Sequence, residues 1–148
     1  MLSTNARDVT LSGAAQRVID LARKVRIYYE AELPKRHPDY PLIHEDEQET
    51  PPPPEQRELK DFLETLSDDT IYQLLLIMHL GRRDFGTDDL AASYDALKQT
   101  FKRPENAVSQ MLGKAPLGDY LADGIEELRN QKINIDKLRL TKVKVRKA

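Results

Sequence analysis

Cysteine is absent from all 148 residues of this chain. Its absence excludes disulfide bonds, thiolate catalysis, cysteine-based zinc sites and iron–sulfur clusters. The chain also lacks any apolar run near the roughly 18 to 20 residues that a membrane-spanning helix needs, and the N-terminal MLSTNARDVT lacks the apolar stretch of a secretory signal. We therefore expect a cytoplasmic protein with no membrane partner.

Glycine and aromatic residues are also scarce, with six glycines and 6% aromatic residues, whereas charged residues make up 32% of the chain. The formal net charge of -2 is unevenly distributed. Residues 45–69 are mostly acidic, opposed only by Arg57 and Lys60, while residues 132–147 carry seven basic residues and one acid, Asp136. A chain of this length can bury one core, and its charge asymmetry indicates a partner or pairing between the two ends.

Residues 1–33 are predicted to form an N-terminal segment that contains a long amphipathic helix. Ser12 is a suitable N-cap, and apolar residues recur after it at three- and four-residue steps as far as Leu33. Pro34 then interrupts the pattern, and four consecutive prolines at 51–54 favour an extended polyproline II conformation. We therefore predict a proline-rich acidic linker over residues 34–54.

Residues 55–130 have the pattern of a helical core domain. Apolar residues recur at helical spacing, and Ser67 and Thr87 each precede two acidic residues, as at helix N-termini. Pro104 is expected to end one helix, and Pro116 suits the first turn of the last one. The sequence therefore predicts an all-α fold, a single bundle-like domain of five to six helices.

The stretch from Ile71 to Leu80 is apolar or aromatic except for Gln73 and His79. A helix without a polar face belongs in the middle of a core, so this helix is predicted to be the central one. We expect Gly81 to supply a left-handed C-terminal cap.

The residues around this helix end form one candidate site, composed of His79, Arg82, Arg83 and Asp84. In a functional interpretation, His79 is a base and one of the arginines binds a phosphate or carboxylate. In a structural interpretation, His79 is a packed side chain beside a capped helix end, and the arginines lie at the negative end of the helix dipole.

Two segments, LSDDTIYQLLLIMHLGRRDFG and PLGDYLADGIEEL, resemble the DUF3775 family of small bacterial domains of unknown function. The resemblance covers about residues 63–128 and implies a fold unit without established catalytic residues. Arg83 stands where the family pattern has glycine. The matching positions are Leu66, Ser67, Leu80, Gly81, Arg82, Asp84, Phe85, Tyr120, Leu121, Gly124 and Leu128.

Motifs for catalysis and metal binding are incomplete. HEDEQ at 44–48 begins like a zinc-protease helix motif, but Gln48 stands where the second histidine is required. A looser divalent-ion site around His37, Asp39 and His44 is an alternative to an acidic linker that faces solvent. We expect no metal, no cofactor and no catalytic residue.

A basic C-terminal tail is predicted over residues 131–148. Its apolar residues alternate in part, which is typical of either an edge strand or a basic tail. The tail can contact nucleic-acid phosphates or cover the acidic stretch before and within the Leu59 helix. Its candidate phosphate contacts are Lys137, Arg139, Lys142, Lys144, Arg146 and Lys147.

The function favoured by these patterns is a non-catalytic protein–protein interaction module. Val18, Val25 and Tyr29 form the candidate partner face of the first helix, which either packs on the core or pairs with another chain. The expected partner is another protein or a second copy. Nucleic-acid binding through the tail is the alternative, and an enzyme using His79 with Arg82 or Arg83 is the second alternative.

Overall fold

The computed structural model describes residues 9–138 and 140, and this part of the chain forms six α-helices and no strand. The helices are α1 (Leu11–Arg36), α2 (Pro54–Thr65), α3 (Asp68–Gly81), α4 (Leu90–Thr100), α5 (Pro104–Leu112) and α6 (Leu117–Asn130), followed by a 3-10 helix (Ile135–Lys137). The predicted all-α fold is confirmed. The edge strand considered for the tail is wrong at the described positions, where the backbone forms the 3-10 helix instead.

Helix α3 lies at the centre of the core, in agreement with its sequence. It contacts α1, α4, α5 and, most extensively, α6. Because neighbours cover it on all sides, it needs no polar face. Ser67 is its N-cap as predicted, since the Thr70 N–H donates to the Ser67 hydroxyl at 3.2 Å. Its buried residues are Ile71, Tyr72, Leu74, Leu75, Leu76, Ile77, Met78 and Leu80.

The start of α1 differs from the prediction. Thr10, and not Ser12, is the N-cap, because the Gly13 N–H donates to the Thr10 hydroxyl at 3.1 Å. Ser12 instead lies within the first turn. Both hydroxyl residues are suitable N-caps. Which of them caps the helix therefore depends on where α1 begins to pack against the core.

Helix α1 extends past the predicted boundary at residue 33 and includes Pro34. Its last turn is supported by the Glu32 carboxylate, which accepts a hydrogen bond from Arg36 Nε at 2.9 Å. The His37 N–H donates to the Leu33 carbonyl at 2.9 Å and continues the helical hydrogen bonding. A proline in this turn removes one hydrogen bond, which these contacts offset.

One aspartate and one proline set the starts of α4 and α5. Asp89, rather than Thr87, caps α4 by accepting from the Ala92 N–H at 3.0 Å. Pro104 does not end α4, which already stops at Thr100, but is the first residue of α5. Proline is favoured there because the first helical N–H has no partner within the helix.

The segment after α6 packs on the beginning of α1. The Asp136 carboxylate accepts hydrogen bonds from the Ser12 N–H at 2.8 Å and from the Ser12 hydroxyl at 2.7 Å. Leu140 is buried in the core. The chain is therefore attached to the core as far as residue 140, beyond the predicted end of the core domain at residue 130.

Candidate functional site

The C-terminal end of α3 is closed by a Schellman motif. Arg83 adopts the left-handed conformation with φ at 65°, and Gly81 is an ordinary helical residue. The Arg83 N–H donates to the Leu80 carbonyl at 3.0 Å, and the Asp84 N–H donates to the His79 carbonyl at 3.1 Å. The prediction that Gly81 is the left-handed cap is therefore wrong, because Arg83 occupies that position.

His79 and Asp84 are brought together by this turn, with 2.7 Å between His79 Nδ1 and Asp84 Oδ2. The imidazole is only 13% exposed. Its ring lies 6.3 Å from the ring of Phe85 and 6.5 Å from that of Phe101, centre to centre. The second nitrogen, Nε2, is buried without a hydrogen-bond partner. A carboxylate orients this histidine as in a catalytic pair, but the nitrogen that would accept a proton is enclosed by protein.

Arg82 and Arg83 diverge from the same turn. Arg82 lies over the Tyr120 ring, 5.6 Å from its centre, and its Nε is 3.7 Å from Asp84 Oδ2. Arg83 instead lines a depression of about 610 Å³ to which Arg82 does not contribute. This depression also contains three acidic residues, Asp123, Glu126 and Glu127. Because the arginines do not converge and carboxylates surround one of them, the arrangement disfavours the predicted anion site.

The predicted partner face of α1 is divided between the core and the surface. Val18 is fully buried among the chain's own helices, so it packs within this chain. Val25 and Tyr29 are only partly buried, because the C-terminal half of α1 contributes no residue to the fully buried core. These two residues line an open cavity instead.

We call this cavity the α1–α2 groove. It lies between α1, α2, the connection between them and the turn before α6, and its volume is about 440 Å³. That volume falls within the range of roughly 300 to 1,000 Å³ that is usual for ligand pockets. The apolar side chains that line it are Ala22, Val25, Tyr29, Leu33, Tyr40, Leu59, Leu112, Ala115 and Leu117.

Hydrogen bonds from two hydroxyl groups fix Tyr29, which lines the groove, and its neighbour Tyr28. The Tyr29 hydroxyl donates to Gln56 Oε1 at 2.7 Å, and the Tyr28 hydroxyl donates to the Pro51 carbonyl at 2.5 Å. Burial, and secondarily the neighbouring Tyr28, raises the pKa of Tyr29 above its ordinary value. Tyr29 therefore remains a protonated donor, and its ring is fixed in the groove wall.

The α1–α2 loop, residues 37–53, folds around a buried histidine. His37 is 2% exposed; its Nδ1 is 2.8 Å from Glu47 Oε2, and its Nε2 is 3.0 Å from Thr50 Oγ1. The other Glu47 oxygen accepts the His44 N–H at 2.9 Å. This backbone hydrogen bond, followed by the one from His37, lowers the pKa of Glu47. The amino-acid sequence gives no signal for the pairing of His37 with Glu47, because this contact depends on how the loop turns back on itself.

Four large hydrophobic side chains are strongly exposed in the described part of the chain, and all lie between residues 27 and 43. They are Ile27 at 65%, Tyr40 at 43%, Leu42 at 61% and Ile43 at 48% exposure. Three of them belong to the α1–α2 loop. The sequence contains a signal for them, because YPLI interrupts an otherwise polar segment, but it does not show whether they face solvent.

The basic tail is described only in part. Lys137 is exposed in the 3-10 helix. The other candidate nucleic-acid contacts, Arg139, Lys142, Lys144, Arg146 and Lys147, lie outside the described residues. Nucleic-acid binding through the tail therefore stays a prediction.

Residues 9–138 and 140 contain neither a cluster of metal-binding side chains nor a membrane-spanning helix. No group of three or more histidine and acidic side chains is positioned to hold a metal ion there. His44 pairs with Asp39 at 2.7 Å, whereas His37 pairs with Glu47. No helix in this part of the chain has the length and apolar character needed to cross a membrane.

A family model described as "Protein of unknown function (DUF3775)" matches residues 56–129. The match confirms the resemblance and extends it to nearly all of α2. It leaves out α1 and the α1–α2 loop, which form one side of the groove. No curated protein and no solved structure matches the chain with significance.

Proposed function

The chain belongs to the DUF3775 family of proteins of unknown function, and we propose that it is a non-catalytic module that binds another protein through the α1–α2 groove. The proposal rests on one observation above all. Three of the four strongly exposed large hydrophobic residues of the described chain, Tyr40, Leu42 and Ile43, lie in the loop that borders the groove. A cluster of exposed apolar side chains is characteristic of protein interaction sites.

The chemistry of the groove supports a protein partner. Its lining combines two tyrosine rings and aliphatic side chains with the charged residues Arg26, Glu30 and Lys114. Aromatic residues with a polar rim are typical of protein interfaces. Tyr40 is 43% exposed at the groove, so its ring has apolar surface left for a partner.

The enclosed His79 supports the absence of catalysis at the end of α3. A general base has to lie within hydrogen-bonding reach of the proton that it removes. In this fold, Asp84 occupies one imidazole nitrogen, and the other is buried. The acidic residues near Arg83 also disfavour an anionic substrate at this end of the helix.

A site-specific photo-crosslinker tests the proposal in the cells that produce the protein. The reactive group is placed at Leu42, beside the groove, and at the exposed Gln99 on α4 as the control. We expect one defined protein adduct from position 42 and none from position 99. No adduct at position 42, or the same adducts at both positions, would contradict a binding site at the groove.

A further inference from the structure

We infer that the occupant of the α1–α2 groove is a second copy of this chain, in a symmetric dimer where each chain inserts its loop tip into the other's groove. The loop tip is defined as Leu42, Ile43, Glu45 and Asp46. This inference rests on the proposed function, because it identifies the partner at that same groove.

The loop tip lies beside the groove, but within one chain it does not fill the groove and remains exposed to solvent. Tyr40 lines the groove, and Ile43 follows it by three residues, so their Cα atoms are at most about 11 Å apart. Leu42 and Ile43 nevertheless remain 61% and 48% exposed. An apolar projection beside an apolar groove is self-complementary under a two-fold rotation, which buries both in each chain at once.

The charges of the loop tip match those beside the groove. The α1–α2 loop contains five acidic residues and no lysine or arginine. Glu45 and Asp46 are exposed and form no salt bridge with another described residue. Their charges are therefore available to a basic surface of a partner.

Two lysines provide that surface. Lys114 lines the groove on the side of α6. Lys60 lines an adjoining depression on α2, which shares Val25, Leu59 and other residues with the groove. Acidic residues are also present, because Asp61 and Glu64 line that depression and Glu30 lines the groove. Neither lysine forms a salt bridge with another described residue. Of the acids on this surface, Glu30 lies 3.9 Å from Arg26 and Asp61 lies 3.7 Å from Arg57, so the two lysines remain available to the acids at the loop tip of a second copy.

Sedimentation velocity of the full chain over a concentration series tests the dimer. We expect the mass to rise from one chain towards two, and the double variant Leu42→Ser, Ile43→Ser to raise the dimer Kd by at least about tenfold. Ile27→Ser is the matched control, because Ile27 is exposed but lies about 200° around α1 from Val25. We expect this control to dimerise as the unmodified chain does.

A charge exchange tests how the two copies pair. One variant carries Lys60→Glu and Lys114→Glu, so that its groove and loop tip are both acidic. The other carries Glu45→Lys and Asp46→Lys, so that both are basic. Each variant alone is expected to dimerise at least about tenfold more weakly. An equimolar mixture is expected to form a heterodimer, because both of its contacts are then between opposite charges.

Three results would overturn the inference. The first is an unmodified chain that stays monomeric throughout the concentration series. The second is a mixture of the two charge variants that dimerises no better than each variant alone, and the third is an Ile27→Ser variant that dimerises as weakly as the Leu42→Ser, Ile43→Ser variant. A monomer that still gives a defined adduct with a different protein from position 42 would leave the proposed function standing. A monomer without any adduct would remove both.

Discussion

Gly81 of α3 and Gly124 of α6 meet where the two helices cross, and each makes room for the backbone of the other helix. A Cβ atom on Gly81 would lie 1.7 Å from the Tyr120 carbonyl oxygen, and one on Gly124 would lie 2.2 Å from the Ile77 carbonyl oxygen. Backbone atoms in a helix cannot rotate aside as a side chain can. The most extensive helix contact of the fold therefore depends on two residues without side chains.

Gly81→Ala and Gly124→Ala are each expected to lower the free energy of unfolding by at least about 3 kcal/mol, because the helices must separate. Gly86→Ala is the control, since a Cβ there would meet no atom within 4 Å, and its effect should stay within about 0.5 kcal/mol. Urea denaturation measures all three. Equal costs at positions 81 and 86 would contradict the close crossing.

Arg83→Gly is expected to stabilise the protein by up to about 1 kcal/mol. Arg83 has φ at 65°. This left-handed conformation costs a residue with a side chain roughly 1–2 kcal/mol, whereas glycine adopts it without that cost. Glycine keeps only part of this advantage, because it also makes the unfolded chain more flexible. Arg82→Gly is the matched control, because φ is -75° there. Thermal unfolding should show opposite signs for the two variants.

The contact between Ser12 and Asp136 is expected to contribute about 1 kcal/mol to stability. A double-mutant cycle with Ser12→Ala and Asp136→Ala isolates the hydroxyl–carboxylate bond of 2.7 Å. Asp136→Asn should lower the free energy of unfolding by less than Asp136→Ala does, because the amide keeps one acceptor oxygen. Additive effects of the two alanine substitutions would show that this side-chain bond contributes nothing measurable.

Acid should loosen the α1–α2 loop through Glu47. The pKa of Glu47 is lowered in the folded chain, first by the His44 N–H and then by His37. Ionised Glu47 therefore stabilises the loop at pH values above its ordinary pKa, and this contribution is lost as the pH falls through the lowered value. Hydrogen exchange of the His44 amide, corrected for intrinsic rates, should accelerate as the pH falls below 4.5, the ordinary pKa of this carboxyl group.

Glu47→Gln provides the comparison for this experiment. We expect the corrected exchange of the His44 amide to be faster at neutral pH and nearly independent of acid in this variant. Glu49→Gln should behave as the unmodified chain, because Glu49 is exposed and forms no hydrogen bond with another described residue. An unchanged acid response in Glu47→Gln would assign the effect to another group.

His79→Phe is expected to change the free energy of unfolding by less than about 1 kcal/mol, whereas His79→Ala should cost about 2–3 kcal/mol. Phenylalanine keeps the packing against Phe85 and Phe101 and removes a buried nitrogen that has no partner. Asp84 is 39% exposed, so water can replace the lost hydrogen bond. Equal losses would show that the imidazole nitrogens themselves stabilise the helix end.

The helices were predictable because each carries a local signal. The all-apolar run of α3 indicated a central helix, and Ser67 was recognised as its cap because a hydroxyl residue precedes two acids. Errors occurred where two local signals compete. Thr10 and Ser12 are both suitable caps, and Pro34 looked like a helix end although contacts formed by Glu32 extend the last turn.

The candidate site was predictable only in part. Val25 and Tyr29 were identified from their spacing on α1, and both line the groove. Val18 has the same spacing but is buried, because the first half of α1 packs on α2 and α6. Helical periodicity indicates which residues share a face of a helix, and it does not indicate which part of that face another helix covers.

The amino-acid sequence determines the helical segments, the central position of α3 and the membership of its family, since these depend on local propensity, apolar spacing and short motifs. Tertiary structure alone decided that Arg83 rather than Gly81 takes the left-handed position, that His37 is buried by Glu47 and Thr50, and that the loop tip remains exposed. These features join residues through contacts between separate turns and helices. Such contacts exist only after the chain has packed, because packing decides which polar groups find partners and which apolar groups stay in water.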